Sequence, residues 1–274
     1  MTLAAVVQMT STSDEAGNWE SARTLIELAA SRGAELVATP ENTNYLGPHL
    51  EKVRLAEPLG GKTCSAFASL AARLRIHLLL GSFNETGPDA EHCYNTSVLF
   101  SPAGSTLAVY RKIHLFDIDH SEAARFRESD TCAPGREAVV AATKFARLGM
   151  SICYDVRFGE LYRKLVDGGA EVILVPSAFT MTTGKDHWQV LLRARAIETQ
   201  CYVLAPAQCG KHDDRGLGES YGHAMIVDPW GDVVAMASEG PGLAIGELDL
   251  DRVRRVRSAM PLASHRRLGE AARE

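Results

Sequence analysis

Short apolar runs alternate with stretches of helical periodicity along the whole chain. LAAVVQM (3–9) reads as a buried strand. A helix is predicted from about Asp14 to Ser31, with Asp14 as N-cap and Gly33 just past its end. Its apolar positions Trp19, Ala22, Leu25, Ile26 and Ala29 recur at helical spacing and form one face. ELVATPE (35–41) is a strand stopped by Pro40, a second helix covers 61–74, and HLLLGSF (77–83) is the next strand. YNTSVLFSPAGSTLAVYRK (94–112) predicts a hairpin turning at Pro102, Ala103 and Gly104.

The second half repeats that order. FARLGMSICYD (145–155) reads as a strand, followed by a helix over 159–166. GGAEVILVPSA (168–178) echoes GAELVATPE (33–41). A long helix is predicted over 186–199, then one strand through CYVLAPAQ (201–208). GHAMIVDPWGDVVAM (222–236) echoes the earlier hairpin, with its turn at Pro229, Trp230 and Gly231. Matching stations in the same order predict an internal duplication. Each half supplies strands but one helical layer, so the expected α/β architecture is a four-layer α-β-β-α sandwich with an internal pseudo-two-fold repeat. No linker composition separates the halves, and residues 1–274 are read as one domain. After Leu248 a basic helix, DRVRRVRSAM, presents a solvated face; the tail from about 249 could also reach a subunit contact.

Composition narrows the function classes. Hydrophobic residues make up 46% and charged residues 23% of 274, which excludes a disordered, collagen-like or coiled-coil chain. The net charge of −5 gives no basic excess for nucleic acid. No apolar run reaches the roughly 18 residues of a membrane span, and the N-terminus makes a poor signal peptide, so a cytoplasmic location is expected. The six cysteines, at 64, 93, 132, 153, 201 and 209, form no C-x-x-C pair, and a chain this long needs no disulfide framework. His187 and His223 have no partner at ligand spacing, and no metal or cofactor is expected.

Three reactive side chains fall at predicted strand ends: Glu41, Lys112 and Cys153. Singly, each has a bland reading as solvated charge or core thiol. Together they could supply acyl-transfer chemistry without a metal. A thiol has an ordinary pKa of ~8.5 and reacts as the thiolate. A carboxylate within reach can take its proton and later activate water. An ammonium, with a backbone N–H beside the nucleophile, can stabilise the oxyanion. Spacing alone does not bring the three together.

PENTNYLG (40–47), YRKIHLFD (110–117) and ICYDVRFGELYR (152–163) resemble the three catalytic motifs of the nitrilase, or carbon–nitrogen hydrolase, superfamily. The resemblance extends through YNTSVLFSPAG (94–104), ESDTCAPG (128–135), HWQVLLRARAIETQCYV (187–203) and YGHAMIVDPWG (221–231). It is strongest to the branch that acts on small 2-oxo acid amides. It implies Glu41 as general base, Lys112 as stabiliser of the tetrahedral intermediate, Cys153 as nucleophile and Glu128 as the second glutamate that orients the lysine or substrate. The stretch DHSEAARFR (119–127) is more polar than its usual counterpart. The implied reaction runs through a thioester on Cys153, with release of ammonia and then hydrolysis. The same resemblance implies the α-β-β-α fold, no cofactor, and a homodimer or larger homo-oligomer.

A 2-oxo acid substrate requires a cation, and Arg157, four residues after Cys153, is the candidate carboxylate clamp; its alternative is a structural salt bridge to Asp155 or Glu160. Tyr45, Phe179 and Thr183 resemble pocket-lining positions, and the Tyr154 N–H would complete the oxyanion hole. Lys185 and Gln189 depart from relatives that carry Pro and Glu there. Arg193 and Arg195 are read as helix-packing or subunit-contact residues. Competing readings are an N-carbamoyl hydrolase and a catalytically silent binding member.

Overall fold

The computed structural model describes residues 1–119, 125–213 and 218–267. Strand β1 (Thr2–Met9) is apolar on both faces because both are covered. Ala4 and Val6 face the second sheet, while Ala5, Val7 and Met9 face helix α1 (Glu15–Ser31). Asp14 caps α1 by accepting the Ala16 and Gly17 N–H groups, each at 3.1 Å. Ala22, Ile26 and Ala29 are the buried stripe of α1, as its periodicity predicts. Strand β2 (Leu36–Ala38), the short helix α2 (Glu51–Arg54), helix α3 (Lys62–Leu74), and strands β3 (His77–Thr86), β4 (Cys93–Phe100) and β5 (Thr106–Arg111) complete the first half. Phe67, Leu70 and Ala71 of α3 join α1 against the outer face of this sheet.

The small hairpin β6 (Asp117–Asp119) and β7 (Arg125–Arg127) stands apart from both large sheets; residues 120–124 of the polar stretch lie outside the described residues. The second half runs β8 (Val139–Ala142), β9 (Arg147–Met150), α4 (Gly159–Asp167), β10 (Val172–Leu174), α5 (Met181–Thr183), α6 (Gln189–Thr199), β11 (Tyr202–Ala205), β12 (Ala207–Lys211), β13 (Glu219–Tyr221), β14 (Met225–Val227), β15 (Val233–Met236) and β16 (Gly242–Leu248). Helices α7 (Leu250–Ala259) and α8 (Leu262–His265) follow.

One sheet has the order β13-β12-β1-β2-β3-β4-β5, with β16 also paired to β1; the other is β15-β14-β11-β10-β9-β8. The duplication is visible in these pairings. Strands β1, β2 and β3 are parallel, then β4 and β5 turn antiparallel. Strands β9, β10 and β11 are parallel, then β14 and β15 turn antiparallel. β16 runs antiparallel to β1 as β8 does to β9. The inner layer joins Leu36, Ala38, Leu79 and Leu99 of one sheet to Leu148, Val172 and Leu204 of the other. Leu161, Leu165, Leu192 and Ala196 of α4 and α6 cover the outer face, completing the four-layer α-β-β-α sandwich. Each fully buried Leu here contributes about 1.5–3 kcal/mol.

Two expectations change. CYVLAPAQ is not one strand: Pro206 has no N–H for the ladder, and the chain breaks there. β11 stays in its sheet while β12 crosses to the other, where Gln8 meets Ala207 and Met9 meets Gln208. The tail arginines are also less free than a solvated face implies. Val253 and Val256 are buried, Arg252 pairs with Asp228, and Arg257 donates to the Ala170 carbonyl at 2.7 Å.

Candidate active site

Glu41, Lys112 and Cys153 each stand just beyond a strand, at the same end of the sandwich. β2 ends at Ala38, and the chain turns outward through Asn42 at φ +55, a conformation Asn tolerates. A bulge in β3 shapes this turn. Gly81 passes so close that a Cβ there would lie 1.9 Å from the Thr39 carbonyl oxygen. Next to it, Ser82 Oγ accepts the Asn42 N–H at 2.8 Å. Gln208, on the crossing strand β12, donates to the Glu41 carbonyl at 2.9 Å. Lys112 follows β5, its N–H bonded to the Asn95 carbonyl at 2.9 Å. Cys153 sits at φ +47, a strained position for a side-chain-bearing residue, held by its N–H on the Pro176 carbonyl at 2.9 Å.

The three side chains do converge, with Glu128. Lys112 Nζ donates to Glu41 Oε1 at 2.9 Å and to Glu128 Oε2 at 2.7 Å. Asn95 Nδ2 bridges the same carboxylates at 2.9 and 3.0 Å. The Ala178 N–H supplies Glu41 Oε2 at 2.8 Å, and the Phe116 N–H supplies Glu128 Oε2 at 2.7 Å. Cys153 faces the same cavity, where the Glu41 carboxylate acts on its thiol. Glu41, Lys112 and Glu128 are 3%, 2% and 4% exposed, so their charges persist only because they are paired.

The electrostatics follow from this packing. Burial first, then the Glu41 carboxylate, push the Cys153 thiol well above its usual pKa; the Lys112 ammonium and the Ala178 N–H pull the other way without cancelling them. The resting sulfur is a thiol with a carboxylate in place to receive its proton. Burial alone would lower Lys112, but Glu128 and Glu41 outweigh it and hold its pKa well above normal. Burial would raise Glu128, yet the Lys112 and Lys52 charges bring it down to about 2.

Asp155 fastens the site from behind. It is fully buried and accepts the Tyr110 hydroxyl at 2.6 Å, the Ile152 N–H at 2.9 Å, and the His114 N–H and Nδ1 at 3.0 and 2.7 Å. It thereby ties the turn carrying Cys153 to the segment carrying Lys112. Asp155→Ala strands these donors and is expected to cost about 3–5 kcal/mol. A denaturant midpoint equal to wild type would refute this anchoring role.

The cavity has two lobes that share Phe116, Cys153 and Ala178. One is lined by Tyr154, Arg157, Phe179 and Thr183. The alternative salt bridge of Arg157 to Asp155 or Glu160 does not form; its guanidinium lies 3.4 Å from His187 Nδ1 and 5.2 Å from the Phe179 ring centre. The other lobe is lined by Glu41, Lys112, Glu128, Leu46, His49 and Lys52, with Phe126. Tyr45 is corrected: it lines neither lobe. It is 2% exposed, and its hydroxyl donates to the Pro48 carbonyl at 3.2 Å. Lys185 and Gln189 are exposed and also lie off the cavity. Arg195 packs its helix by donating to the Val156 carbonyl at 2.7 Å, and Arg193 donates to the Gly231 carbonyl at 2.7 Å. Sequence reasoning gave no role to Asn95, Asp155, Phe116, His49 or Lys52. For Asn95 a signal existed: it opens the polar run Asn95, Thr96 and Ser97 within a predicted strand, inside the quoted YNTSV stretch.

The carbon–nitrogen hydrolase family model matches residues 3–258. A deaminated glutathione amidase of Synechocystis is 48% identical over 267 residues, covering 96% of this chain and 97% of that protein. Among solved structures, the NitFhit protein of C. elegans superposes with a TM-score of 0.91 at 42% identity; the match covers 97% of this chain and 65% of that longer one. Saccharomyces cerevisiae Nit3, a member of branch 10 of the nitrilase superfamily, gives 0.87 at 33% identity and covers 97% of both chains. A nearly full-length family match, on a sandwich that gathers a thiol, an ammonium and two carboxylates around one cavity, leads to one conclusion: this chain belongs to the carbon–nitrogen hydrolase family.

Proposed function

We propose that this hydrolase cleaves the amide of a small 2-oxo acid, with deaminated glutathione the first candidate and 2-oxoglutaramate the second. Cys153 Sγ attacks the amide carbonyl and its proton passes to Glu41. The Lys112 ammonium and the Tyr154 N–H stabilise the oxyanion, while Glu128 holds Lys112 in position. The C–N bond breaks and the departing nitrogen takes the proton from Glu41. The leaving group is ammonia from 2-oxoglutaramate but a peptide amine from deaminated glutathione, so the expected release of ammonia holds for the first of these alone. Water then attacks the thioester, Glu41 receives its proton, and the acid departs as the thiol re-forms.

The observation that carries the substrate reading is Arg157. It lines a lobe beside Cys153 and has no carboxylate partner among the described residues. Relatives such as the Synechocystis protein, named for deaminated glutathione, support the same choice. We also read the chain as a cytoplasmic homodimer or larger homo-oligomer that binds neither nucleic acid nor membrane. No helix among the described residues is long and apolar enough to cross a membrane. Val190 and Ile197 on α6 and Trp230 nearby are 65%, 47% and 54% exposed, an apolar area suited to a subunit contact.

A panel of deaminated glutathione, 2-oxoglutaramate, N-carbamoyl amino acids and simple nitriles tests this. Amine or ammonia release and 2-oxo acid formation are measured, and deaminated glutathione is expected to give the highest kcat/KM. Preference for a carbamoyl substrate or a nitrile would overturn the substrate reading. No turnover of any, with Cys153 alkylated by iodoacetamide no faster than the other five thiols, would favour the silent binding member.

A further inference from the structure

We infer that the lobe lined by His49 and Lys52 is a second anion subsite, built around Lys52, which holds a carboxylate on the amine half of the substrate while Arg157 holds the acyl half. This rests on the amidase reading above and adds to it the residues that would hold the leaving amine by its own carboxylate.

Lys52 belongs to α2, between the Glu41 turn and α3, and is 5% exposed. It lines the same lobe as Lys112 and Glu128. Lys112 has two carboxylates in hydrogen-bond contact. The Lys52 ammonium, by contrast, makes no hydrogen bond or ion pair with the described residues. Its stem is buried while the ammonium borders the cavity, and a cation left unpaired at a cavity wall is poised for an anion from outside the chain. Glu128, whose charge it feels, is already engaged by Lys112, Asn95 and the Phe116 N–H.

His49, three residues earlier, adds an independent observation. Its Nε2 lies 2.6 Å from the Thr131 hydroxyl, which can donate or accept, and 3.1 Å from the Arg127 carbonyl, which can only accept, so a proton on Nε2 satisfies both contacts and is assigned there. Burial and the Lys52 charge lower its pKa to about 4, which keeps the ring neutral. Nδ1 is then an acceptor, and it is buried without a partner at the lobe wall. An unpaired cation and an unpaired acceptor suit a carboxylate and a peptide N–H in one ligand. Phe116 and Phe126 add apolar wall to the same lobe. Cys153 sits where the lobes join, so a substrate with an acid at each end spans them with its amide over the sulfur.

The test compares deaminated glutathione with the same compound carrying a C-terminal carboxamide, which removes only the distal charge. Wild type is expected to favour the acid by roughly ten- to hundredfold in kcat/KM, the range of one charge-assisted hydrogen bond. Lys52→Met should lower the acid far more than the carboxamide, so that the ratio of the two kcat/KM values falls towards one. Lys52→Arg should restore part of the preference, and thermal melts of both variants exclude a folding defect. Equal losses on both compounds would overturn the subsite, since Lys52 would then act through Glu128. A wild-type enzyme indifferent to the distal charge would overturn it as well. If wild type cleaves neither compound, the amidase reading itself has failed, and that is seen before any variant is made.

Discussion

Cys153→Ala is expected to reduce turnover by at least about 10⁴-fold, as removal of a nucleophile from a cooperating set does, while the protein keeps its fold. The reason for the first half is chemical: without sulfur there is no thioester, and water must attack an unactivated amide. The reason for the second is geometric. Every bond that fixes the charged groups avoids the sulfur: Lys112 to Glu41 and Glu128, Asn95 to both, and the Ala178 N–H to Glu41. The turn itself is held by main-chain bonds and by Asp155. Steady-state rates on the preferred substrate, beside a thermal melt, check both halves. Residual hydrolysis near the wild-type rate would remove Cys153 from the reaction.

Glu41→Gln is expected to give the second largest loss, about 10²–10⁴-fold, the usual contribution of a positioned general base. It also makes a prediction of opposite sign about the thiol. In the wild type the Glu41 charge and hydrogen bond raise the Cys153 pKa, while Lys112 lowers it. Removing the carboxylate deletes the raising influence and keeps the lowering one. The pKa must fall, and alkylation by iodoacetamide should move to lower pH even as turnover collapses. A sulfur that is easier to ionise in a slower enzyme separates thiol acidity from proton transfer. Turnover close to wild type, or an alkylation profile displaced to higher pH, would contradict the role given to Glu41.

How much of this could be read from the chain alone depends on the scale of the interaction. Helix α1 was legible because Ala22, Ile26 and Ala29 form a local stripe and Asp14 caps its own helix. The duplication was legible because the echo of GAELVATPE in GGAEVILVPSA carries the same strand twice. Pro206 was visible, but not the sheet to which the strand after it would cross, because that is decided by distant Gln8 and Met9. β16 escaped notice: it follows a Gly240–Pro241 turn signal, yet its partner lies at the other end of the sequence. At the site, Glu41, Lys112, Cys153 and Glu128 were found through motif resemblance; their meeting in space was not written in their spacing. Tyr45 misled because an aromatic two residues before Gly47 folds back on that glycine instead of entering the cavity. Lys52 gave no signal, since a lysine in a short charged helix looks like any solvated one.

The pairing of β1 with β16 has a bearing on how the molecule is made. Once translated, β1 waits for a neighbour more than 200 residues downstream, Thr2 for Leu248. Crossing strand β12, which clamps the Glu41 turn through Gln208, is likewise translated late. Nascent chains therefore carry every reactive group long before they can assemble a working centre. A chain cut before Gly242 lacks the partner strand of β1 and is expected to be inactive.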